Sequence, residues 1–274
     1  MKPVMKFCPL ASGSSGNCVY IGSGETHLLV DAGLSGKRIE AALNSIKIPA
    51  QGLMGIFLTH EHSDHASGAG VMSRRFDIPV FATPKTWRYF MRHGTIGKVS
   101  DNLQRIIEPN MPIKVGDMEI IPFEIPHDAS QPVGYHLCTI GDKHRLQAAV
   151  ATDMGYVTDN VRSILRDVQV MLIESNHDVE MLDNGSYPQM LKDRVKGSLG
   201  HLSNVAAGAL LAEIAMSDHC DCRHVFLGHL SEENNRPMIA LDTVESILEA
   251  NGVKLRVSVA ERHEPSEMVE LSNS

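Results

Sequence analysis

One stretch, His60-Glu61-His62-Ser63-Asp64-His65, places three imidazoles and two carboxylates within six positions. It follows the run Gly55-Ile56-Phe57-Leu58-Thr59, whose apolar, aromatic and β-branched residues indicate a buried strand. The polar cluster is therefore expected where a strand gives way to a loop. Neutral imidazole and carboxylate are ligands for zinc, manganese or iron. On an extended turn, His60 and His62 face one way and Asp64 and His65 reach a second point, which suits two metals a few ångströms apart.

Possible metal ligands also follow four later apolar runs. The segments are His127-Asp128, Asp153-Met154-Gly155, Glu174-Ser175-Asn176-His177 and His229. Because strand ends at one sheet edge lie side by side, side chains distant in sequence can converge there. Taken singly, each His could be a hydrogen-bonded structural residue, and Asp153 could cap the helix that follows. Together they would supply the third and bridging ligands that two metals need.

Composition sets the broad class of the protein. The chain has 274 residues, 43% hydrophobic and 21% charged, as expected for a soluble globular protein with a sizeable core. No apolar run is long enough to span a membrane and no signal-peptide pattern opens the chain, so we expect cytoplasmic residence. The net charge of −8 argues against a broadly basic surface. Local basic clusters, each a solvated helix face or a phosphate track, are Arg74-Arg75, Lys85/Arg88/Arg92/Lys98 and Lys192/Arg194/Lys196.

Strand and helix patterns alternate along nearly the whole chain. Hairpins open each half, and β-α alternation follows them, which favours two sheets packed face to face with helices outside. We expect one domain over residues 1–265 and a polar, frayed tail over residues 266–274. Helices are predicted from the Ser35 cap onward, after Ser203 and over 237–250.

Several short sequence strings, taken in their order along the chain, resemble those of the metallo-β-lactamase superfamily, and more closely those of its YycJ/WalJ group of exonucleases. The resemblance covers almost the whole chain. The strings that carry the resemblance are Leu10–Asn17, Asp31–Gly36, Thr59–His65, Glu174–Asp178, Gly200–Asn204 and Gly228–Ser231. This resemblance implies an α/β fold, the four-layer αβ/βα metallo-β-lactamase sandwich with two mixed sheets flanked by helices.

The resemblance also implies a binuclear metal site. His60, His62 and His127 would hold one divalent cation, and Asp64, His65 and His229 the other. Asp153 would bridge the two ions, whose identity as zinc or manganese the sequence leaves open.

The activity implied by the resemblance is phosphodiester hydrolysis of nucleic acid by metal-bound hydroxide, as in a 5′-to-3′ DNA exonuclease. Asp64 and Asp153 would be catalytic. His201 would contact a substrate phosphate or serve as a helix cap, and His177 would donate a proton or support a ligand. Further substrate contacts are expected from residues in two loops, Ser12 and Ser14 in the first and Ser203 and Asn204 in the second.

Other functions share the same metals. A small-molecule hydrolase for thioesters, lactones or cyclic phosphodiesters would have a closed apolar pocket. tRNA processing is disfavoured because Ile173 stands where that family has a His. A di-iron redox protein would carry Glu at His62, and a non-catalytic regulatory protein would lose ligands. We expect no membrane partner, and the sequence leaves a homodimer open.

Overall fold

The computed structural model describes residues 4–141, 145–217 and 220–273. Numbered along the chain, the strands are β1 Val4–Ala11, β2 Cys18–Ser23, β3 Thr26–Val30, β4 Leu53–Phe57, β5 Val80–Ala82, β6 Gln104–Ile106, β7 Ile113–Val115, β8 Met118–Glu124, β9 Val133–Thr139, β10 Gln147–Ala151, β11 Val170–Glu174, β12 His224–Gly228, β13 Val257–Val259 and β14 Val269–Ser272. The helices are α1 Gly36–Ser45, α2 Ser63–Ala66, α3 Ala69–Phe76, α4 Pro84–His93, α5 Asp159–Arg166, α6 Val179–Asn184, α7 Gln189–Lys196, α8 Asn204–Ala215 and α9 Pro237–Ala250.

The chain forms two compact units. The first comprises Met1–Glu124, Ala129–Gln147 and Glu261–Ser274. The second comprises Ile125–Asp128 and Ala148–Ala260.

The first unit contains a sheet ordered β14-β1-β2-β3-β4-β5-β6, antiparallel from β14 to β3 and parallel from β3 to β6. It also contains the antiparallel run β7-β8-β9. Helix α1 begins after Ser35, whose side chain accepts a hydrogen bond from the Arg38 amide, and it buries Ile39 and Leu43. This start is the one predicted from the sequence.

The second unit contains the parallel strands β10, β11, β12 and β13. Every residue of β11 and β12 is buried, which explains why these strands read as continuous apolar runs. Helix α8 begins after the Ser203 cap, and α9 covers the range expected for it. The predicted class, α/β with two mixed sheets and flanking helices, is confirmed. No helix of the described residues is long and apolar enough to cross a bilayer.

The sequence prediction for the C-terminal residues was wrong. Val269–Ser272 does not fray but forms β14, which pairs antiparallel with β1. The reason is its alternation, since Leu271 is 2% exposed while its neighbours Glu270 and Ser272 point outward. The first unit therefore extends past residue 265.

Candidate functional site

The histidine turn, His60 to His65, follows β4 and runs into α2 in the first unit. His60 and His65 are completely buried, while His62 and Asp64 are partly exposed. Nε2 of His60 lies 2.9 Å from Nδ1 of His62. Two ligand nitrogens about 3.3 Å apart are expected in a tetrahedral site with Zn–N bonds of about 2.0–2.1 Å. The two nitrogens therefore lie at nearly the separation that chelation of one cation requires.

Asp31, which follows β3, fixes the orientation of His65. Asp31 Oδ2 lies 2.7 Å from Nδ1 of His65, and both side chains are buried. The Thr59 amide and hydroxyl donate to Asp31 Oδ1 at 2.8 and 3.0 Å. Burial raises the pKa of Asp31, and the bonds from His65 and Thr59 offset only part of this rise. Because Nδ1 is committed to Asp31, Nε2 of His65 is the nitrogen left to act as a ligand.

The Ser12–Asn17 loop closes against the histidine turn. The Asn17 amide nitrogen Nδ2 lies 3.1 Å from Nε2 of His65, and the Asn17 backbone N–H donates to the Asp64 carbonyl at 2.7 Å. The Ser12 hydroxyl donates to Asn17 Oδ1 and is buried, whereas Ser14 is exposed. Ser12 therefore stabilises the loop, and Ser14 is the predicted substrate contact that reaches solvent.

Gly33 allows the backbone of the turn to approach closely. A Cβ at this position would lie 1.7 Å from the carbonyl oxygen of Asp64. Any side chain at residue 33 would therefore displace Asp64 and His65.

Glu61 lies inside the turn, and its carboxylate accepts hydrogen bonds from outside it. It is 6% exposed, and its Oε1 accepts hydrogen bonds from the amide and hydroxyl of Ser130 at 2.6 and 2.5 Å. Thr86 of α4 donates to Oε2 at 3.4 Å. Glu61 thus ties the histidine turn to the Ser130 loop and to α4 within the first unit.

Glu174, at the end of β11, organises the cluster of the second unit. Its Oε1 lies 2.8 Å from Nδ1 of His201 and 2.8 Å from Nδ1 of His229. Its Oε2 accepts from the backbone amides of Met154 and Leu202 at 2.8 and 3.0 Å. The carboxylate is fully buried and fully hydrogen-bonded, so it holds two imidazoles in fixed orientations.

Asp153 lies among three imidazoles. Its Oδ1 is 3.6 Å from Nε2 of His127, 3.6 Å from Nδ1 of His201 and 3.5 Å from Nδ1 of His229. Asp153 and His229 both have left-handed backbone conformations, with φ of 60° and 53°. Such conformations are uncommon in residues other than glycine and cluster at functional sites.

The charges of this cluster are set by its neighbours. Burial alone would raise the pKa of Glu174, but His201 and His229 hold it well below its usual range. Burial alone would lower the pKa of His201, but Glu174 and Asp153 raise it above the ordinary value. His201 therefore carries positive charge more readily than a free imidazole.

His177 differs from His201. It is 3% exposed, and its Nδ1 has no hydrogen-bond partner among the described residues. Burial lowers the pKa of His177 to about 4, so the ring is neutral near pH 7. A general acid works best with a pKa near the operating pH. The structure thus favours support of the cluster over proton donation.

A network of buried amides, here called the asparagine network, surrounds these residues. Ser175 donates to Asn204 Oδ1 at 2.6 Å, and Asn204 donates to Asn235 Oδ1 at 3.0 Å. Asn235 donates to the carbonyls of Ser175 and Asn176, and Asn176 donates to the His229 carbonyl at 2.8 Å. The network fixes the loops after β11 and β12 and the start of α8.

This network corrects the sequence prediction for Asn204. We expected Asn204 to contact substrate, but it is 0% exposed and its amide is bonded within the protein. Because Asn204 is buried, we assign it a positioning role and not a contact with substrate. Ser203, the N-cap of α8, is partly exposed and stays a predicted substrate contact.

The structure distributes the predicted ligands over both units. His60, His62, Asp64 and His65 share the turn of the first unit, and the second unit holds His127, Asp153 and His229. In the second unit, Asp153, Glu174, His201 and His229 each offer a ligand atom within 4.8 Å of the others. The donors are imidazole nitrogens and carboxylate oxygens, a set that fits zinc or manganese. Sequence reasoning assigned no individual role to Asp31, Asn17 or Asn235. It placed Glu174 in a segment of possible metal ligands and counted Glu61 among the carboxylates of the turn, but it did not predict the hydrogen bonds that either residue makes.

Comparison with known proteins gives consistent results. Residues 11–167 match the family model of the metallo-beta-lactamase superfamily. The chain is 38% identical over 248 residues to exodeoxyribonuclease YycJ of Bacillus anthracis, covering 90% of each chain. It is 40% identical over 231 residues to exodeoxyribonuclease WalJ of Streptococcus pneumoniae serotype 2, covering 84% of this chain and 83% of that one. The metallo-beta-lactamase fold protein YhfI of Bacillus subtilis superposes with a TM-score of 0.71 at 16% identity, covering 98% of this chain and 100% of that one. This last likeness shows that the fold is the predicted one.

Proposed function

Because this chain belongs to the metallo-β-lactamase superfamily, in its YycJ/WalJ group, we propose that it is a metal-dependent 5′-to-3′ exonuclease that hydrolyses phosphodiester bonds of DNA. The proposal of metal-dependent hydrolysis rests on one observation. In each unit a buried carboxylate orients a predicted histidine ligand. Metal-binding histidines almost always donate their second ring N–H to a carboxylate, a backbone carbonyl or a water. The choice of DNA is supported by the relatives, which are named as exodeoxyribonucleases.

The proposed ligand set is that suggested by the sequence. His60, His62 and His127 would hold one divalent cation, Asp64, His65 and His229 would hold a second, and Asp153 would be shared between them. When bound, such ions lower the pKa of water and offset the charge that develops on a phosphoryl oxygen. Zinc and manganese both suit these donors.

The residues around the ligands have separate proposed roles in orienting water and binding substrate. Asp64 is partly exposed and orients the attacking water. His201 is bonded through Nδ1 to Glu174, so its Nε2 is the nitrogen that contacts a substrate phosphate. The raised pKa of His201 strengthens this contact, because a protonated imidazole attracts the phosphate charge. Ser14 and Ser203 supply further polar contacts, and His177 supports the loop before α8.

A panel of end-labelled substrates tests this function. The wild-type chain is incubated with single- and double-stranded DNA and RNA, labelled at the 5′ or the 3′ end, with manganese, with zinc or with EDTA. Release of 5′-labelled mononucleotides from DNA at early times, lost in EDTA, is the expected result. Hydrolysis of thioesters, lactones or cyclic phosphodiesters without attack on any polynucleotide would instead establish a small-molecule hydrolase.

Three further sequence predictions are tested separately. Light scattering of the purified chain tests the homodimer. Cell fractionation tests residence in the cytoplasm. Limited proteolysis tests whether the two units behave as one domain, because a single domain resists cleavage at the junctions near 124–129 and 147–148.

A further inference from the structure

Helix α4 presents three cations on its most outward face, here called the basic stripe: Lys85, Arg88 and Arg92. They follow the spacing i, i+3, i+7, which aligns side chains along one helix face. All three are exposed. Trp87 and Phe90, each 4% exposed, lie on the opposite face and anchor the helix in the core of the first unit. The stripe is therefore held rigidly and turned to solvent.

The segment of sequence around the basic stripe contains no acidic residue. No Asp or Glu occurs between Ile78 and Ser100, in a chain that has 33 acidic residues and a net charge of −8. Within the part of the chain that the structure describes, none of the three cations is paired with a carboxylate.

Three arginines on other helices behave differently. Arg75 of α3 pairs with Glu40 at 2.7 Å, Arg166 of α5 pairs with Glu213 at 2.6 Å, and Arg194 of α7 pairs with Asp128 at 2.6 Å. These cations are neutralised by the protein itself, whereas the stripe is open to an external anion.

The stripe begins beside the histidine turn. Thr86, next to Lys85, donates to Glu61 of the turn at 3.4 Å, and the Lys85 amide donates to Gln131 Oε1 at 3.3 Å. From there, seven residues of helix carry the stripe about 10 Å away. The rings of Tyr89 and His93 lie along one edge, with centroids 4.3 Å apart.

We infer that the basic stripe binds the phosphodiester backbone of the nucleic-acid strand behind the end that is being hydrolysed. This inference rests on the proposed function and deepens it. One DNA strand carries a phosphate about every 3.4 Å along the helix axis, so a stripe of about 10 Å spans about three phosphates. Three cations at this spacing match a repeating anion better than a single small substrate does. The neighbouring rings offer a surface on which bases stack.

The test compares two triple variants that remove the same charge. K85A/R88A/R92A removes the stripe, and K37A/R38A/K114A removes three exposed cations elsewhere in the first unit. A third variant, K85R/R88K/R92K, keeps the charge. Binding of a 5′-phosphorylated 20-nucleotide single strand is measured by fluorescence anisotropy in EDTA over a range of salt concentrations. KM for hydrolysis is measured with manganese for the 20-mer and for a dinucleotide.

Loss of the stripe is expected to lower the slope of log Kd against log salt by about 2, since each phosphate contact contributes about 0.7 for single strands. The rise in KM should be at least five times greater for the 20-mer than for the dinucleotide. The matched control and the charge-preserving variant should keep the wild-type slope.

Three results would overturn the inference. One is a stripe variant whose slope and KM equal those of the matched control, which would make the stripe an ordinary solvated face. Another is an equal rise in KM for both substrate lengths. The third is loss of binding to phosphatidylserine vesicles with DNA binding unchanged. A wild-type chain that binds DNA through the stripe but hydrolyses none would refute the proposed function and leave this inference standing.

Discussion

The carboxylate of Asp31 lies 2.7 Å from Nδ1 of His65, and both side chains are buried. Asp31 has a left-handed backbone, with φ of 62°. Asp and Asn tolerate this conformation better than other residues with a side chain. The replacement of Asp31 by Asn therefore tests the carboxylate without straining the backbone.

We predict that Asp31→Asn weakens metal binding about 10- to 100-fold. Both carboxylate oxygens accept hydrogen bonds, from Thr59 and from His65, so the new NH2 group must face a donor. His65 then loses its fixed tautomer. Competition with a metal indicator dye measures the affinity, and unchanged affinity in a folded variant would show that Asp31 does not orient a ligand.

Glu174→Gln should destabilise the metal-free chain by about 1–3 kcal/mol, because all four bonds to this carboxylate come from donors. The depressed pKa of Glu174 contributes stability above its ordinary value of 4.5, and this contribution is lost as pH falls. The raised pKa of His201 contributes stability below its ordinary value of 6.5, and this contribution is lost as pH rises.

The advantage of the wild type over Glu174→Gln should therefore be greatest between pH 4.5 and 6.5. Urea unfolding in EDTA across pH 3 to 9 measures the difference. A difference that does not vary with pH would contradict the ion pair between Glu174 and His201.

Asn204→Ala is predicted to lower the free energy of unfolding by about 1–3 kcal/mol, because it removes the acceptor of the buried Ser175 hydroxyl and the hydrogen bonds between Asn204 and Asn235. The exonuclease rate should fall as well, since the asparagine network positions the loops that carry His201 and His229. The matched control is Asn251→Ala, at an exposed helix end, which should cost less than about 0.5 kcal/mol. Equal effects of the two substitutions would count against a role for the network.

His201→Ala should leave metal content intact and reduce hydrolysis of DNA, because Nε2 of His201 is assigned to the substrate phosphate. Removal of a charge-assisted hydrogen bond costs about 1.5–3 kcal/mol, or roughly a 10- to 150-fold loss of kcat/KM. Plasma mass spectrometry of the variant provides the control for metal content. Wild-type kinetics would remove His201 from the substrate site.

The sequence made the histidine turn predictable because so many residues of metal-ligating type follow one apolar run. The same logic located Asp153 and His229 at strand ends. Asp31 and Glu174 also stand at strand ends, but their role depends on which imidazole each one meets, and that is a tertiary property. Asn204 was misjudged for the same reason, since a polar residue beside His201 reads as exposed until burial is known.

We propose that hydrolysis depends on a pair of divalent cations held by the seven predicted ligands. The most direct test is to strip the purified chain with a chelator and to titrate manganese back, while bound metal and exonuclease rate are measured on the same samples. We predict that the rate reaches its maximum when two ions are bound per chain. An active chain without bound metal, or a folded chain that binds none at micromolar concentrations, would contradict the claim.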